Sequence, residues 1–300
     1  METDMASGGY GCGMPEGDTI RRLADTIRRR FTGERCVRCI TRDPRLVGVD
    51  LSGATIVDVD AIGKHLLIRF DNGSSLHSHL MMTGSWMVGP PARQPEWRRR
   101  IELWMETGRL TGIDLPVVEL VPTTNEVRVI GRLGPDLCGA DPPDLTEVVE
   151  RLRRQPQTPL ATALLDQHNV AGFGNVYAIE LPFIAGVSPN QQLDQIDGLE
   201  HLVGFGAAII RTNAQRGPQN TTGRRLNTAD QWIYGRRGRP CPICATTLDG
   251  WDERHSPWGR VSVWCPTCQR QEATRQVDLP RITRLLALHP ARRQQSFPDL

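Results

Sequence analysis

The sequence predicts an α+β protein of several domains, in which a β-sandwich led by one helix is followed by a helical domain and a small zinc ribbon. Three observations predict this order. Short runs of alternating apolar and polar residues fill most of the first 140 positions, helical spacing begins near residue 144, and two Cys-x-x-Cys pairs stand near the end. Strands followed by helices are typical of α+β proteins.

A helix is predicted directly after Gly17. Asp18 belongs to a residue type that caps helix N-termini, and the apolar residues after it repeat at helical spacing. These apolar positions are Ile20, Leu23, Ala24, Ile27 and Phe31. Arginines at 28–30 complement the negative end of the helix dipole. Residues 1–13 hold four glycines and no apolar core, so we expect a disordered extension and not a signal peptide.

The strands of the first domain are predicted from runs with a period of two residues. These runs cover 57–62, 66–70, 76–80, 101–105 and 127–130. Asp71, Asn72 and Gly73 separate two of the runs and predict a hairpin turn. The first 140 residues therefore predict a β-sandwich with one leading helix.

The second part of the chain predicts helices. Apolar residues recur at helical spacing in 145–152, 160–164 and 202–210. A glycine-rich joint at 167–174 leads into a further helix, which we expect Asn175 to cap. Glycines ahead of a helix N-terminus let free N–H groups approach a phosphate. A tight turn between two core helices explains the glycines equally well.

Four cysteines form the most specific pattern in the chain. Cys241 and Cys244 are followed, after twenty residues, by Cys265 and Cys268. This spacing predicts a tetrahedral thiolate site that holds one structural Zn²⁺. Cys36 and Cys39 lack a second pair and are interpreted as packed thiols.

The charge distribution predicts a polyanionic partner. Residues 211–300 carry 15 arginines and 7 acids, which is +8, so the net charge of +2 leaves −6 for residues 1–210. Lys64 is the single lysine among 36 basic residues, so it and the terminal amine are the two amines available for imine chemistry. No run of 18 apolar residues exists, so we expect no membrane span and a cytosolic protein.

Residues after the last cysteine predict a loosely held tail, although Pro280 is suited to start a short helix with Ile282, Leu285 and Leu286 on one face. We assign the tail no function. The predicted divisions are an extension (1–13), a β-sandwich (14–140), a helical domain (141–235), a zinc ribbon (236–272) and the tail (273–300).

Five motifs carry a family resemblance over about residues 14–270. They are Met14-Pro15-Glu16-Gly17 before a helix, Lys64 in an early hairpin, the run 79–84 (His-Leu-Met-Met-Thr-Gly), the joint 170–177, and Gly259-Arg260 before 265–269. In this order they resemble the formamidopyrimidine-DNA glycosylase and endonuclease VIII family. The resemblance implies a helix-two-turns-helix arrangement for residues 141–235.

The resemblance also implies an activity and a catalytic group. Members excise oxidised bases from DNA and cleave the strand at the abasic site, and their nucleophile, an N-terminal proline, falls on Pro15. Glu16 is then expected to transfer protons, although a first-turn carboxylate also favours a helix N-terminus. Lys64 matches the lysine that holds phosphate beside the lesion, with a role as the nucleophile as its alternative. Where many members have a second glutamate, this chain has Thr19.

Three further residues are implied to bind DNA. Met82 matches the residue that fills the gap left by a flipped nucleotide, and Asn175 and Arg260 match phosphate-gripping residues. The strand pair His77 and His79 is expected to pack or to contact phosphate. The expected partner is damaged double-stranded DNA, and the protein is expected to be a monomer in the cytoplasm, associated with the nucleoid.

An internal proline has no free amine, so the reading from Met1 conflicts with this activity. We therefore expect translation to start at Met14 and the methionine to be removed; the alternative is a protein that binds lesions without cutting. The Glu16-Gly17-Asp18 run favours the endonuclease VIII branch, which acts on oxidised pyrimidines. The alternative substrate is 8-oxoguanine or a formamidopyrimidine lesion.

Overall fold

The fold consists of two compact units, one that ends at Arg132 and one that begins at Leu133. It is seen in a computed structural model that describes residues 15–90, 94–225 and 228–293. Met14 and the predicted extension 1–13 lie outside the described residues, as do the last seven residues of the predicted tail. The domain limits drawn from the sequence stay a prediction.

The first unit is built on two antiparallel sheets. Its strands are β1 (Cys36–Thr41), β2 (Ile56–Ile62), β3 (His65–Phe70), β4 (Ser74–His79), β5 (Ser85–Val88), β6 (Arg99–Met105), β7 (Arg109–Ile113) and β8 (Val117–Pro122). One sheet has the order β1-β6-β7-β5 and the other has the order β2-β3-β4-β8. Residues from both sheets form one buried core with the first helix. The predicted sandwich is confirmed.

Helix α1 (Gly17–Phe31) supplies the predicted apolar face, and Ile20, Leu23 and Ile27 are buried in the core. The predicted cap is wrong. The capping position is Glu16, whose carbonyl oxygen accepts from the N–H groups of Thr19 and Ile20, while Asp18 lies inside the first turn. The prediction relied on residue type, whereas the cap is fixed by the point at which the backbone turns helical.

The predicted strand at 127–130 is also wrong. A short 3₁₀ turn (Thr123–Asn125) leads into α2 (Val127–Ile130). Val127 is 66% exposed, and Glu126 is tied back to β3 by a two-bonded ion pair with Arg69. Residues 127–130 thus pair with no neighbouring strand of the two sheets, and the short helix supplies hydrogen-bond partners for their backbone N–H and C=O groups.

The second unit begins with the predicted helices. They are α3 (Leu145–Arg153), α4 (Leu160–Leu165), α5 (Asn175–Ala185) and α6 (Leu199–Arg216). The ribbon hairpin joins β10 (Asp249–Trp251) to β11 (Ser262–Trp264). Val263 and Cys265 of the ribbon are buried in the same core as the helices. The ribbon therefore packs as part of this unit.

The interpretation of residues after 272 as loosely held is wrong for the part that the structure describes. Strand β12 (Arg275–Gln276) pairs in parallel with β9 (Ile196–Asp197), and α7 (Leu279–Leu285) follows with Pro280 in its first turn. Ile282 and Leu286 are each 1% exposed. The buried Arg281 donates from Nε to the carbonyl of Phe183 at 3.0 Å. Apolar burial and the hydrogen bond from Arg281 to Phe183 hold this segment to α5.

A buried carboxylate holds the chain between α6 and the ribbon. Glu180 on α5 is fully buried. It accepts hydrogen bonds from the Thr221 hydroxyl (2.5 Å) and from the backbone N–H groups of Trp232 (2.7 Å), Ile233 (2.8 Å) and Tyr234 (2.8 Å). Burial raises the pKa of Glu180, while these four donors oppose that rise. Both carboxylate oxygens are needed to satisfy the donors.

Replacing Glu180 by Gln is expected to destabilise the protein by roughly 2–4 kcal/mol, because the amide NH₂ group then faces donors that lose their acceptor inside the protein. Urea unfolding measures this change. Glu150→Gln, on the exposed face of α3, is the matched control and is expected to have little effect. Equal stability of the two variants would contradict the role assigned to Glu180.

Candidate active site

Pro15 and Glu16 lie directly ahead of α1, and both are buried, with Glu16 only 1% exposed. The helix is fastened to β2 by Arg21, which donates to Asp60 at 2.9 Å and to the carbonyl of Ala61. The start of α1 is thereby fixed against the strand that leads to Lys64. The positive end of the helix dipole also disfavours a protonated amine at this position.

Lys64 lies in the turn of the β2–β3 hairpin. Ile62 pairs with His65, so the turn contains Gly63 and Lys64 alone. Gly63 has a φ of +57°, which two-residue hairpin turns require and which glycine adopts without strain. The hairpin position predicted for Lys64 is confirmed, whereas its role stays a prediction.

Three histidine rings form a cluster beside Lys64. His65 Nδ1 lies 2.8 Å from His77 Nε2, and His77 Nδ1 lies 3.0 Å from Glu119 Oε1. The His79 ring meets the His65 ring edge-on at 5.0 Å. Sequence reasoning missed His65, although its place directly after Lys64 on a strand was a usable signal.

Burial is the main cause that lowers the pKa of these three rings. It lowers the pKa of His65 to about 3, with further contributions from the charges of His79, His77 and Lys64. The pKa of His79 is lowered to about 4 by burial and by the charge of Lys64. At neutral pH, His65 and His79 therefore add no positive charge to that of Lys64.

The predicted plug, Met82, lies in the exposed turn between β4 and β5. Met81 and Met82 are 48% and 51% exposed. Met81 has a φ of +47°, and its N–H donates to His79 Nδ1 at 3.0 Å. Gly84 closes the turn through its N–H, which donates to the Leu80 carbonyl oxygen. A larger residue does not fit at this position, because its Cβ would lie 2.8 Å from the same oxygen. An exposed methionine on a fixed turn is suited to enter a gap between stacked bases.

Asn175 is the first residue of α5 and not its cap, which corrects the prediction. Gly174 occupies the capping position, with extended backbone. The Asn175 side chain donates from Nδ2 to the carbonyl of Val261 at 2.9 Å. Val261 directly follows Arg260, which is exposed. The structure thus brings together the two residues of the second unit that were predicted to grip phosphate.

The four predicted zinc ligands also come together. Their sulfur atoms all lie within 4.8 Å of one another, with Cys241 and Cys268 4.0 Å apart and Cys244 and Cys265 3.4 Å apart. Zinc–sulfur bonds of about 2.3 Å in a tetrahedron separate the sulfurs by about 3.8 Å, so the donor set fits zinc. Four thiolates leave no position for a water, and such a metal would hold the ribbon without taking part in chemistry.

The remaining Cys-x-x-Cys pair has the character of packed thiols. Burial raises the pKa of Cys36 to about 11, with a further rise from Cys39. Burial likewise raises the pKa of Cys39. A thiol in this state is a poor nucleophile and a poor metal ligand.

Comparison with known proteins decides the family. Residues 14–115 match the model of the formamidopyrimidine-DNA glycosylase N-terminal domain, and residues 133–207 match the formamidopyrimidine-DNA glycosylase H2TH domain. The chain belongs to the formamidopyrimidine-DNA glycosylase and endonuclease VIII family. The resemblance drawn from the five motifs is confirmed, and with it the enzyme class of DNA glycosylases and abasic-site lyases.

Relatives of both branches of the family match nearly their whole length. A probable endonuclease 8 of Streptomyces coelicolor is 39% identical over 87% of this chain and 96% of its own. The DNA-(apurinic or apyrimidinic site) lyase Nei2 of Mycolicibacterium smegmatis is 38% identical over 85% and 99%. A formamidopyrimidine-DNA glycosylase of Gloeobacter violaceus is 32% identical over 88% and 99%. Identity is thus higher with these two endonuclease VIII-type relatives than with the glycosylase.

The fold is shared with a solved structure of this family. Lactococcus lactis formamidopyrimidine-DNA glycosylase, bound to DNA with an abasic site, superposes with a TM-score of 0.71 at 22% identity and covers 85% of this chain and all of its own. Among the described helices of the present chain, none has the length and hydropathy of a bilayer span.

Proposed function

We propose that this protein is a bifunctional DNA glycosylase and abasic-site lyase of base excision repair, acting on oxidised pyrimidines in double-stranded DNA. One observation carries the proposal. Pro15 is buried directly ahead of α1 with Glu16 beside it, and the match to the family's N-terminal domain begins one residue earlier, at residue 14.

The proposed nucleophile is the amine of Pro15 in a chain whose translation starts at Met14 and whose methionine is removed. Attack of this secondary amine on C1′ forms an N–C1′ bond as the bond from C1′ to the base breaks, and the base leaves with the electron pair and takes up a proton. The amine then loses its proton, and the C1′–O4′ bond opens as the ring oxygen is protonated. The iminium that results is positively charged without being protonated and draws electrons from the sugar. This promotes β elimination and then δ elimination, which cleave the strand on both sides of the lesion.

Glu16 is the proposed proton-transfer group of this step. Its position next to Pro15 suits delivery of a proton to the ribose ring oxygen during base loss. Thr19, which stands where many members have a second glutamate, cannot transfer protons in the same way. Asp18, which is buried in the same turn, is the candidate to replace it.

The DNA-binding residues divide between the two units. Lys64 is proposed to hold phosphate beside the lesion, and Met82 to fill the space that a flipped nucleotide leaves. Asn175 and Arg260 are proposed to grip the flanking phosphates, with one structural Zn²⁺ on Cys241, Cys244, Cys265 and Cys268 fixing the ribbon that carries Arg260. Such contacts position DNA without reading its sequence, as repair of any sequence requires.

The proposed substrates are oxidised pyrimidines, because the Streptomyces coelicolor and Mycolicibacterium smegmatis relatives, at 39% and 38% identity, support that branch; the endonuclease 8 of Escherichia coli, at 28%, is less similar than the Gloeobacter violaceus glycosylase at 32%. The second candidate is 8-oxoguanine or a formamidopyrimidine lesion, which the glycosylase relatives support. One duplex in one cleft needs no symmetry mate, so we further propose a monomer, located in the cytoplasm and associated with the nucleoid.

A panel of duplexes tests the function with the chain that begins at Pro15. The duplexes carry thymine glycol, dihydrouracil, 8-oxoguanine or an abasic site, and product release is followed on a denaturing gel. We expect cleavage at the abasic site and faster excision of the two pyrimidines than of 8-oxoguanine. Faster excision of 8-oxoguanine would favour the second candidate, and binding without cleavage at any site would leave a non-catalytic lesion binder.

A further inference from the structure

A cavity of about 600 Å³ opens in the first unit next to the turn that carries Met82. Its walls come from the chain after β1, from Thr83, from the start of β6 and from the chain after β7. The lining residues are Asp43, Pro44, Arg45, Thr83, Arg98, Arg100, Asp114, Leu115 and Pro116. Thr83 directly follows Met82, so the cavity lies beside the turn that carries the predicted plug.

Two of the three lining arginines are already paired. Arg45 donates to both oxygens of Asp43 at 2.7 Å and to the carbonyl of Leu115 at 2.9 Å. Arg98 donates from Nε to Asp114 at 2.5 Å. Within each pair the aspartate neutralises the charge of its arginine. The bonds of Arg45 to Leu115 and of Arg98 to Asp114 also hold the wall at 114–116 in place. That wall includes Asp114 with a φ of +45°, a backbone strain that persists only where surrounding contacts impose it.

Arg100 is the third arginine and differs from the others. Within the described part of the chain its guanidinium makes no hydrogen bond or ion pair, and its Nε is buried without a partner. Three arginines against two aspartates leave the lining with an excess of one positive charge, and Arg100, although its charge adds to the hydrogen bond of the paired arginine in lowering the pKa of Asp43, makes no ion pair with either aspartate. Arg21, Arg236 and Arg281 also have a buried nitrogen without a partner, but of these four arginines Arg100 is the one that lines this cavity, where an incoming anion can supply the missing acceptor.

The backbone aims Arg100 into this cavity. Arg99 pairs with Ile113 and Ile101 pairs with Gly112, so Arg100 is the extra residue of a bulge in the β6–β7 ladder. A bulge redirects a side chain that would otherwise follow the alternation of the strand. The bulge, the strained wall and the unpaired guanidinium all lie around one cavity.

We propose that this cavity is an additional DNA site, in which Arg100 binds one phosphodiester of the strand that passes the Met82 turn. The inference rests on the proposed function. A guanidinium matches two phosphate oxygens with two parallel N–H donors. None of the described residues that line the cavity is aromatic, so these residues offer no flat apolar faces between which a nucleobase would stack.

The salt dependence of DNA binding tests this site. A plot of the logarithm of the association constant against the logarithm of the salt concentration has a negative slope. Each lost phosphate contact reduces the magnitude of this slope by about 0.9 and lowers the affinity about eightfold at 0.1 M salt. Arg100→Gln is expected to show both changes on a duplex with an abasic-site analogue. Arg100→Lys is expected to regain the slope but only part of the affinity. The control is Arg38→Gln, an exposed arginine on β1 of the same sheet, which is expected to match the wild type.

A second measurement assigns the contact to a phosphate. In a set of duplexes, single phosphates near the lesion are replaced one at a time by neutral methylphosphonates. We expect one position at which this replacement lowers the DNA affinity of the wild type but leaves the affinity of Arg100→Gln unchanged. An unchanged slope, or a loss in Arg100→Gln that depends on the opposite base and on no single phosphate, would overturn the proposal. If the wild type cleaves abasic DNA but Arg100→Gln keeps the wild-type slope, this inference alone fails. If the wild type neither binds nor cleaves such DNA, the proposed function fails with it.

Discussion

A chain that retains residues 1–14 ahead of Pro15 is expected to cleave abasic-site DNA at least about 10³-fold more slowly than the same chain beginning at Pro15, as expected when a catalytic nucleophile is lost. An amide nitrogen shares its lone pair with the carbonyl and cannot attack C1′. Single-turnover rates on a duplex with an abasic site measure the difference. Binding is expected to change far less, because Lys64, Asn175 and Arg260 are unaltered.

Pro15→Gly in the shorter chain is the matched control for this result. It keeps a terminal amine at the start of α1, so we expect it to retain part of the activity, whereas an acetylated Pro15 is expected to retain none. Equal rates for the chain with residues 1–14 and the chain beginning at Pro15 would contradict the assignment of the nucleophile. Loss of activity in Lys64→Ala with full retention after acetylation would transfer that role to Lys64.

Loss of the zinc site is expected to have the second large effect. Cys265→Ser removes a buried member of the proposed zinc-binding set, and binding of structural zinc supplies about 10–16 kcal/mol in small zinc domains. The ribbon then no longer holds Arg260, nor Val261 against Asn175. Losing two phosphate contacts lowers DNA affinity roughly 60-fold at 0.1 M salt. Metal content and fluorescence anisotropy measure the two consequences.

The matched control for the zinc variant is Cys39→Ser. It alters a thiol of the other Cys-x-x-Cys pair, and we expect one zinc per chain and wild-type affinity. A Cys265→Ser protein that still binds one equivalent of zinc and holds DNA with wild-type affinity would contradict the structural role of the metal.

The parts of the fold that were predicted well are those in which apolar residues repeat at a regular spacing within a single helix or strand. Helical spacing in α1 and alternation in β2–β4 follow from which face of an element is buried, and both are legible in one sequence. The run 127–130 shows the limit of this reasoning. Alternation predicts a strand only if a neighbouring strand is available, and that neighbour is a property of the whole fold.

The candidate site shows the same limit. Motif spacing predicted the hairpin position of Lys64 and the gathering of the four cysteines, while the role of Arg260 stays a prediction. The caps at Asp18 and Asn175 were each misassigned because residue type does not fix where a backbone turns helical. Arg100 was not singled out from the run 98–100, which resembles a solvated charged surface. The bulge and the two ion pairs that set Arg100 apart depend on strands β6 and β7 and on the chain at 114–116.

The most direct measurement of the central claim is the identity of the residue that bonds to DNA. The chain beginning at Pro15 is incubated with an abasic-site duplex and sodium borohydride, digested, and the cross-linked peptide is sequenced by mass spectrometry. We expect the sugar remnant on the nitrogen of Pro15. A remnant on Lys64, or the absence of any trapped adduct from a protein that cleaves the strand, would contradict the account.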